Sequence, residues 1–372
     1  MSEPLGVSII VVNYNNEQFL ASAIDSALGQ DHPFREVIAV DDCSTDNSRA
    51  VIARYGERVR PVLRETNGGQ VEALNSAWPL ARYPILIFLD SDDLLLAHAA
   101  STVAARWTAG TVKAQFPLVT IDKTGREIGH AAPRYPRNLD TTMIRAELLR
   151  TGGSPNSPAS GNAYSRSLLE AVMCDRGFDL RNPREHWMDA ILECNAPFYG
   201  EVVTLYQPLA CYRRHDSNLY AITAIDNRHF NELLRAFSSK LEYFADRCRD
   251  WDIPFDPTLA SNRSLWALEC RLVVNKLNAR EHRSGKDLCE PVFGILYRAL
   301  RACIDAELRI SDRIIRAGWL ISIALSTQPV ARRLIALRFI VIERPAWFER
   351  LRGNAANLAA GRSFSQTHAR SR

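Results

Sequence analysis

Three carboxylates are packed into four positions at Asp90-Ser91-Asp92-Asp93, directly after the apolar run Leu86-Ile87-Phe88-Leu89. Such a run reads as a strand buried on both faces of a parallel sheet, and ligands in open α/β sheets bind beyond the carboxyl ends of the strands. Carboxylates crowded at that edge repel one another unless a cation sits among them. Hard divalent cations take oxygens from one or two carboxylates and fill their remaining positions with water and phosphate oxygens. The pattern predicts a site for a metal–phosphate complex, with Mn²⁺ or Mg²⁺ as the ion.

A cluster of that kind needs a sheet whose strands end on one side. Residues 7–12, 36–40, 59–64 and 85–89 read as strands. Helical spacing over 17–29 and 70–78, and a helix entered at the small polar residues 44–47, fill the gaps between them. The alternation predicts βαβ units with right-handed crossovers. Three loops then converge at one edge: Asn13-Tyr14-Asn15-Asn16, Asp41-Asp42-Cys43-Ser44 and Asp90-Ser91-Asp92-Asp93. The chemistry they suggest is nucleotide recognition. Asp42 would accept a base ring N–H, Asp90 would hold ribose hydroxyls, and Asp92 would bind the ion on the pyrophosphate. The acidic turn 41–46 equally suits a plain helix cap, and Asn67-Gly68-Gly69 reads first as a turn.

Beyond residue 100 the pattern is mixed, with strands expected over 114–121 and 202–206 and helices over 167–173 and 187–196. Past Leu219 strand signals vanish and long amphipathic segments follow, so an α-helical C-terminal region is expected. The expected domains are a catalytic domain over 1–222, a helical region over 223–360 and a disordered tail over 361–372. The 372 residues carry a net charge of only +4, which argues against a nucleic-acid partner. Eight scattered cysteines form no C-x-x-C pair and suit a reducing compartment. No basic leader or membrane-spanning apolar run is seen, so a cytoplasmic location is expected. Residues 317–350 interleave arginines with large apolar side chains. They suit peripheral contact with the inner face of an anionic plasma membrane, or packing against the catalytic domain or a second subunit as a homo-oligomer.

Four ordered motifs carry a family resemblance: Val7 to Asn15, Val40-Asp41-Asp42-Cys43-Ser44-Thr45-Asp46, Asn67-Gly68-Gly69-Gln70 with Ala73-Leu74-Asn75, and Leu89-Asp90-Ser91-Asp92-Asp93. Together they resemble the family-2 glycosyltransferases of the GT-A fold, over roughly residues 5 to 222. Ser160-Gly161-Asn162 is similar to the loop before the acceptor side, 189–201 to the helix with the catalytic carboxylate, and Tyr212-Arg213-Arg214-His215 with Asn218 to the segment closing over the diphosphate. One departure is Cys43, where the family usually has glycine.

The resemblance implies an α/β fold with a Rossmann-like, mixed and mostly parallel sheet flanked by helices. It also implies metal-dependent, inverting transfer from a nucleotide-diphospho-sugar, UDP- before dTDP-, to a glycan or lipid-linked acceptor. Asn13, Tyr14, Asn15, Asp42, Asn67, Gly68, Gln70, Asn75, Asp90, Ser91, Arg213 and Arg214 would face the donor. Asp92 and His215 would face the metal. Such a transfer needs a carboxylate to take the acceptor hydroxyl proton. Asp189 or Glu185 would supply it, with His186 third, because the usual Glu-Asp pair is replaced by Glu185-His186. Two rivals remain: a binding or scaffold protein of the same fold without turnover, and a dinucleotide-dependent oxidoreductase. The loop after Val12 lacks the G-x-G-x-x-G that the latter needs.

Overall fold

The computed structural model describes residues 5–129, 131–173, 188–215, 218, 225–278, 290–306 and 308–339. The β-branched run of β1 (Val7–Asn13) is covered on both faces and almost wholly buried. Helix α1 (Glu17–Leu28) lays Phe19, Leu20, Ala23, Ile24 and Ala27 on the core, a stripe of helical period. Then follow β2 (Arg35–Asp41), α2 (Ser48–Ala53), β3 (Arg60–Leu63), α3 (Gly69–Ala77) and β4 (Ile85–Asp90). These four strands are parallel, in the order β3-β2-β1-β4.

The chain therefore winds outward from β1 in one direction and returns to its other side at β4. That reversal opens a crevice at the carboxyl ends of β1 and β4, where α/β sheets bind ligands. Register fixes which residues stand there: Asn13 pairs with Asp41, and Val12 with Asp90.

Downstream lie β5 (Leu94–Leu95), α4 (Ala99–Arg106), β6 (Thr111–Gln115), β7 (Leu118–Ile121), α5 (Thr141–Thr151), β8 (Asn162–Ser165), α6 (Arg166–Met173), α7 (Met188–Tyr199), β9 (Glu201–Thr204) and β10 (Ala210–Arg213). β8 joins β4 antiparallel, and β6 and β9 complete a seven-stranded, mostly parallel sheet. A small sheet, β5-β10-β7, lies apart from it in hydrogen bonding. The single strand expected over 114–121 is two strands in different sheets. Phe116-Pro117 separates them, and proline cannot donate to a ladder. Helix α5 and strand β10 were not foreseen; α5 is capped by Asp140, whose Oδ1 accepts from Met143 N at 2.8 Å.

The helical residues are α8 (Asn227–Asp250), α9 (Pro257–Arg263), α10 (Leu265–Leu277), α11 (Val292–Asp305), α12 (Ile310–Leu325) and α13 (Gln328–Phe339). Two compact units result, 1–219 with 232–268, and 220–231 with 269–372. Residues 232–268 thus group with the α/β part. In the first unit, Phe198 on α7 stacks on Trp251 at 4.6 Å and packs on Phe244 of α8. In the second unit, buried Glu269 holds Arg316 and Arg338 at 3.2 and 3.0 Å, and Trp319 donates to Leu334 O at 2.8 Å. No helix among the described residues is long and apolar enough to cross a membrane.

Candidate active site

The three carboxylates stand where β4 ends. Asp90, Asp92 and Asp93 each offer an oxygen within 4.8 Å of the others. Gln70 at the start of α3 donates to Asp90 Oδ1 at 2.9 Å, and the Asp90 N–H donates to Ser160 Oγ at 3.1 Å. Asp93 is 1% exposed; the Arg213 N–H donates to its Oδ1 at 2.9 Å, while Oδ2 has no partner. Burial pushes the Asp90 carboxyl up to about 7, with Asp92 and Asp189 adding to it. The Asp93 carboxyl is raised as well, by burial first and then by Asp92 and Asp90. These hard oxygen donors, short of hydrogen bonds and of positive charge, fit a divalent cation.

Ser160 reaches this point because Gly161 lets the chain pass close behind it. A Cβ there would lie 2.5 Å from Leu118 Cδ1 and 2.8 Å from Phe116 O. On the opposite side, His215 Nε2 lies 3.0 Å from Asp92 Oδ2. Asn218 Nδ2 reaches the same oxygen at 3.4 Å, and its Oδ1 accepts from the His215 N–H at 2.7 Å. The ring of Phe19 packs on His215 with centroids 4.8 Å apart.

The second acidic loop has a different status. Asp41 is fully buried and accepts from Asn13 Nδ2 at 2.9 Å, Ser44 N at 3.0 Å and Arg49 Nε at 3.0 Å. Hydrogen bonds from Ser44, Asn13 and Arg49 outweigh burial and hold its carboxyl below the usual range. Asp42 accepts from Gly68 N at 3.1 Å and Gly69 N at 2.7 Å, and its Oδ1 lies 2.8 Å from Arg64 Nε. It therefore fastens the start of α3, and a base N–H would have to share oxygens already engaged.

The other expected residues divide in the same way. Asn13 Oδ1 is buried and free, Tyr14 is 51% exposed, and Asn15, at φ 49°, ties its own loop to Thr45 and Ser44. Asn67 donates to Asp42 O, Ser91 Oγ accepts from Asn16, and Asn75 Oδ1 accepts from Trp78 Nε1 at 3.3 Å. Arg213 donates to the carbonyls of Asp92, Asp122 and Lys123 and packs over Phe19, so its guanidinium ties loops together. Arg214 is half-buried and donates its N–H to Ile121 O.

Asp189, in the first turn of α7, is half-buried, and its carboxyl is raised by burial first and Glu193 second. It is close enough to Asp90 to raise that group's proton affinity. Glu185 and His186 lie outside the described residues. Sequence reasoning gave no role to Ser160 or Asn218, although both stand in motifs it quoted. It also missed Lys113, a lone charge inside a strand, and Glu193 and Lys240, spaced as ordinary helix-surface residues.

Residues 8–173 match the family described as Glycosyl transferase family 2. An uncharacterized glycosyltransferase of Nostoc sp. is 34% identical over 219 residues, covering 57% of this chain and 66% of the relative. The putative teichuronic acid biosynthesis glycosyltransferase TuaG of Bacillus subtilis is 41% identical over 90 residues, covering 23% of this chain and 36% of the relative. The chain thus spans just under two thirds of the first of these and about a third of the second. The mannosyltransferase PcManGT of Pyrobaculum calidifontis, solved with GDP-Man and Mn²⁺, superposes with a TM-score of 0.50 at 17% identity, covering 97% of this chain and 89% of that one. The ordered motifs, the sheet order and the acidic edge agree with these similarities: residues 8–173 carry a glycosyl transferase family 2 domain, and the chain has the GT-A fold.

Proposed function

We propose that the chain is a metal-dependent, inverting glycosyltransferase that moves a sugar from a nucleotide-diphospho-sugar to a glycan or lipid-linked acceptor. The observation that carries this reading is the meeting of Asp90, Asp92 and Asp93, deficient in partners, at the β1/β4 crevice. Asp92 and His215 would hold Mn²⁺ or Mg²⁺, with Asp93 behind them. Bound there, the ion would neutralise charge on the departing diphosphate. Asp90, oriented by Gln70, would receive the ribose hydroxyls, and the Asn13, Asp42 and Asn67 loops would border the base. Asp189 would take the acceptor hydroxyl proton as that oxygen attacks the anomeric carbon. A UDP donor is preferred to dTDP, and surface polysaccharide or glycolipid synthesis is the setting that relatives such as TuaG support.

The decisive experiment is metal-dependent release of free nucleotide from a panel of sugar donors, compared with Asp92→Ala. Release by the unsubstituted protein with Mn²⁺ and none by the variant is expected. Donor binding without turnover, over diverse acceptors, would favour the scaffold reading instead.

The second unit favours an anionic lipid surface as partner. Phe293, Tyr297, Ile310, Ile314 and Leu325 point outward, and Arg301, Arg309, Arg332 and Arg333 are exposed near them in sequence. Residues 291–339 hold eight arginines against three acids, so two copies facing each other would repel while an anionic bilayer would attract. This moves the membrane expectation toward α11 and α12, because Trp319 is half-buried with its indole N–H on Leu334 O and its ring against Phe339, and 340–350 lie outside the described residues. Sedimentation with anionic but not zwitterionic vesicles is expected. Equal sedimentation with both, or a concentration-dependent dimer, would overturn it.

A further inference from the structure

Glu193 stands one helical turn beyond Asp189 on α7 and is only 7% exposed. Its Oε1 accepts from Ser154 N at 2.7 Å and Ser154 Oγ at 3.0 Å. Its Oε2 accepts from Lys240 Nζ on α8 at 2.7 Å. Beside this pair, Lys113 on β6 is 2% exposed, donates to Asn156 Oδ1 at 2.7 Å and lies 6.0 Å from the ring centre of Tyr164. Further along α7, Asn195 Nδ2 donates to Tyr243 OH of α8 at 2.6 Å, and Phe198 packs on Phe244.

Burying charges is costly, and a well-packed apolar pair would hold two helices together at least as well. The Asn195 and Phe198 contacts already fasten α7 to α8, so packing does not account for Glu193 and Lys240. What an ion pair adds, and methyl groups cannot, is a fixed field at the next turn of the helix. That next turn carries Asp189.

We infer that Lys240 is a positioning residue for Asp189: by neutralising and holding Glu193, it leaves Asp189 as the carboxylate of that helix face able to accept the acceptor hydroxyl proton. The inference rests on the glycosyltransferase reading. The groups that act on Asp189 agree with it. Glu193 on its own helix raises its proton affinity, while Lys240 on α8 and Lys113 on β6 lower it; Tyr164 on β8 and Asp90 on β4 also face it. Without the Lys240 cation, Glu193 would drive Asp189 toward its protonated form, which cannot act as a base.

The test is the pH profile of acceptor kcat/KM for the full chain with saturating Mn²⁺ and a donor that the unsubstituted protein uses. Lys240→Met should move the acid limb upward by about half to one pH unit, and Glu193→Gln should move it downward by a similar amount. The two shifts have opposite sign, which loosened packing cannot produce. Lys240→Arg should keep the original limb, and donor KM should stay unchanged throughout. Glu193→Gln carries the test alone if Lys240→Met does not fold. Unshifted limbs, or shifts in one direction for both variants, overturn the inference while leaving the glycosyltransferase reading intact. No transfer by the unsubstituted protein from any donor overturns both.

Discussion

Two acidic loops leave the same edge of one sheet, and they have opposite electrostatic fates. At the end of β2, Asp41 and Asp42 are surrounded by donors: Asn13, Ser44 and Arg49 for the first, Gly68, Gly69 and Arg64 for the second. At the end of β4, Asp90, Asp92 and Asp93 crowd one another, with Gln70, the Arg213 backbone N–H, His215 and Asn218 around them. The first loop has its cations built in. The second is short of them, and a divalent ion is what would supply the missing charge. A carboxylate's type and position therefore do not distinguish a structural clamp from a ligand site; its complement of partners does.

The widest separation between the loops should come from neutralising one acid in each. Asp92→Asn should lower glycosyl transfer on the order of 10²–10³-fold and weaken Mn²⁺ binding, by removing a ligand and its charge. Its unfolding transition should stay in place or rise, since a like-charge contact is relieved. Asp41→Asn should do the reverse. It should cost about 2 kcal/mol of stability, the scale of buried charged hydrogen bonds, while Mn²⁺ titrates the variant normally. A large loss of stability in Asp92→Asn, or of metal binding in Asp41→Asn, would erase the distinction.

A smaller effect is expected at the tip of the clamp. Cys43 sits at φ 64°, the left-handed region that side chains resist, and its thiol donates to Glu65 O at 3.3 Å. Cys43→Gly should stabilise the protein by about 1 kcal/mol, seen as a higher denaturant midpoint.

The smallest effect is a pH slope of opposite sign at the two loops. Asp41 titrates below its unfolded value of 3.8, so its stabilisation is present above that value and fades as pH falls through the folded one. Asp90 titrates near 7, so the folded protein binds the extra proton and loses stability as pH rises from about 4 through 7. Metal-free protein should show that loss relative to Asp90→Asn in urea titrations, and saturating Mn²⁺ should abolish it. A flat difference across this window would count against the description of the β4 loop.

Much of this was legible before folding. The β-branched run of β1, the apolar run of β4 and the helical stripe of α1 are local patterns, and they place the three loops at one edge. The glycine normally expected at Cys43 was a sign of the backbone conformation found there. The break at Phe116-Pro117 was visible in principle, but a continuous apolar pattern masked it. Arg213 looked like a diphosphate ligand because arginine is suited to that task, yet its partners are carbonyls on two other loops.

By itself the sequence determined the alternation of strands and helices in the first hundred residues, the acidic edge and the family resemblance, because these follow from short-range periodicity and from motifs read in place. Only the tertiary structure decided which acids are satisfied and which are not. That outcome depends on groups far along the chain, such as His215 at Asp92, 123 residues away, and Lys240 at Glu193, 47 residues away. Burial and pairing set a carboxylate's charge and purpose, and both are properties of packed space, which spacing along a chain does not encode.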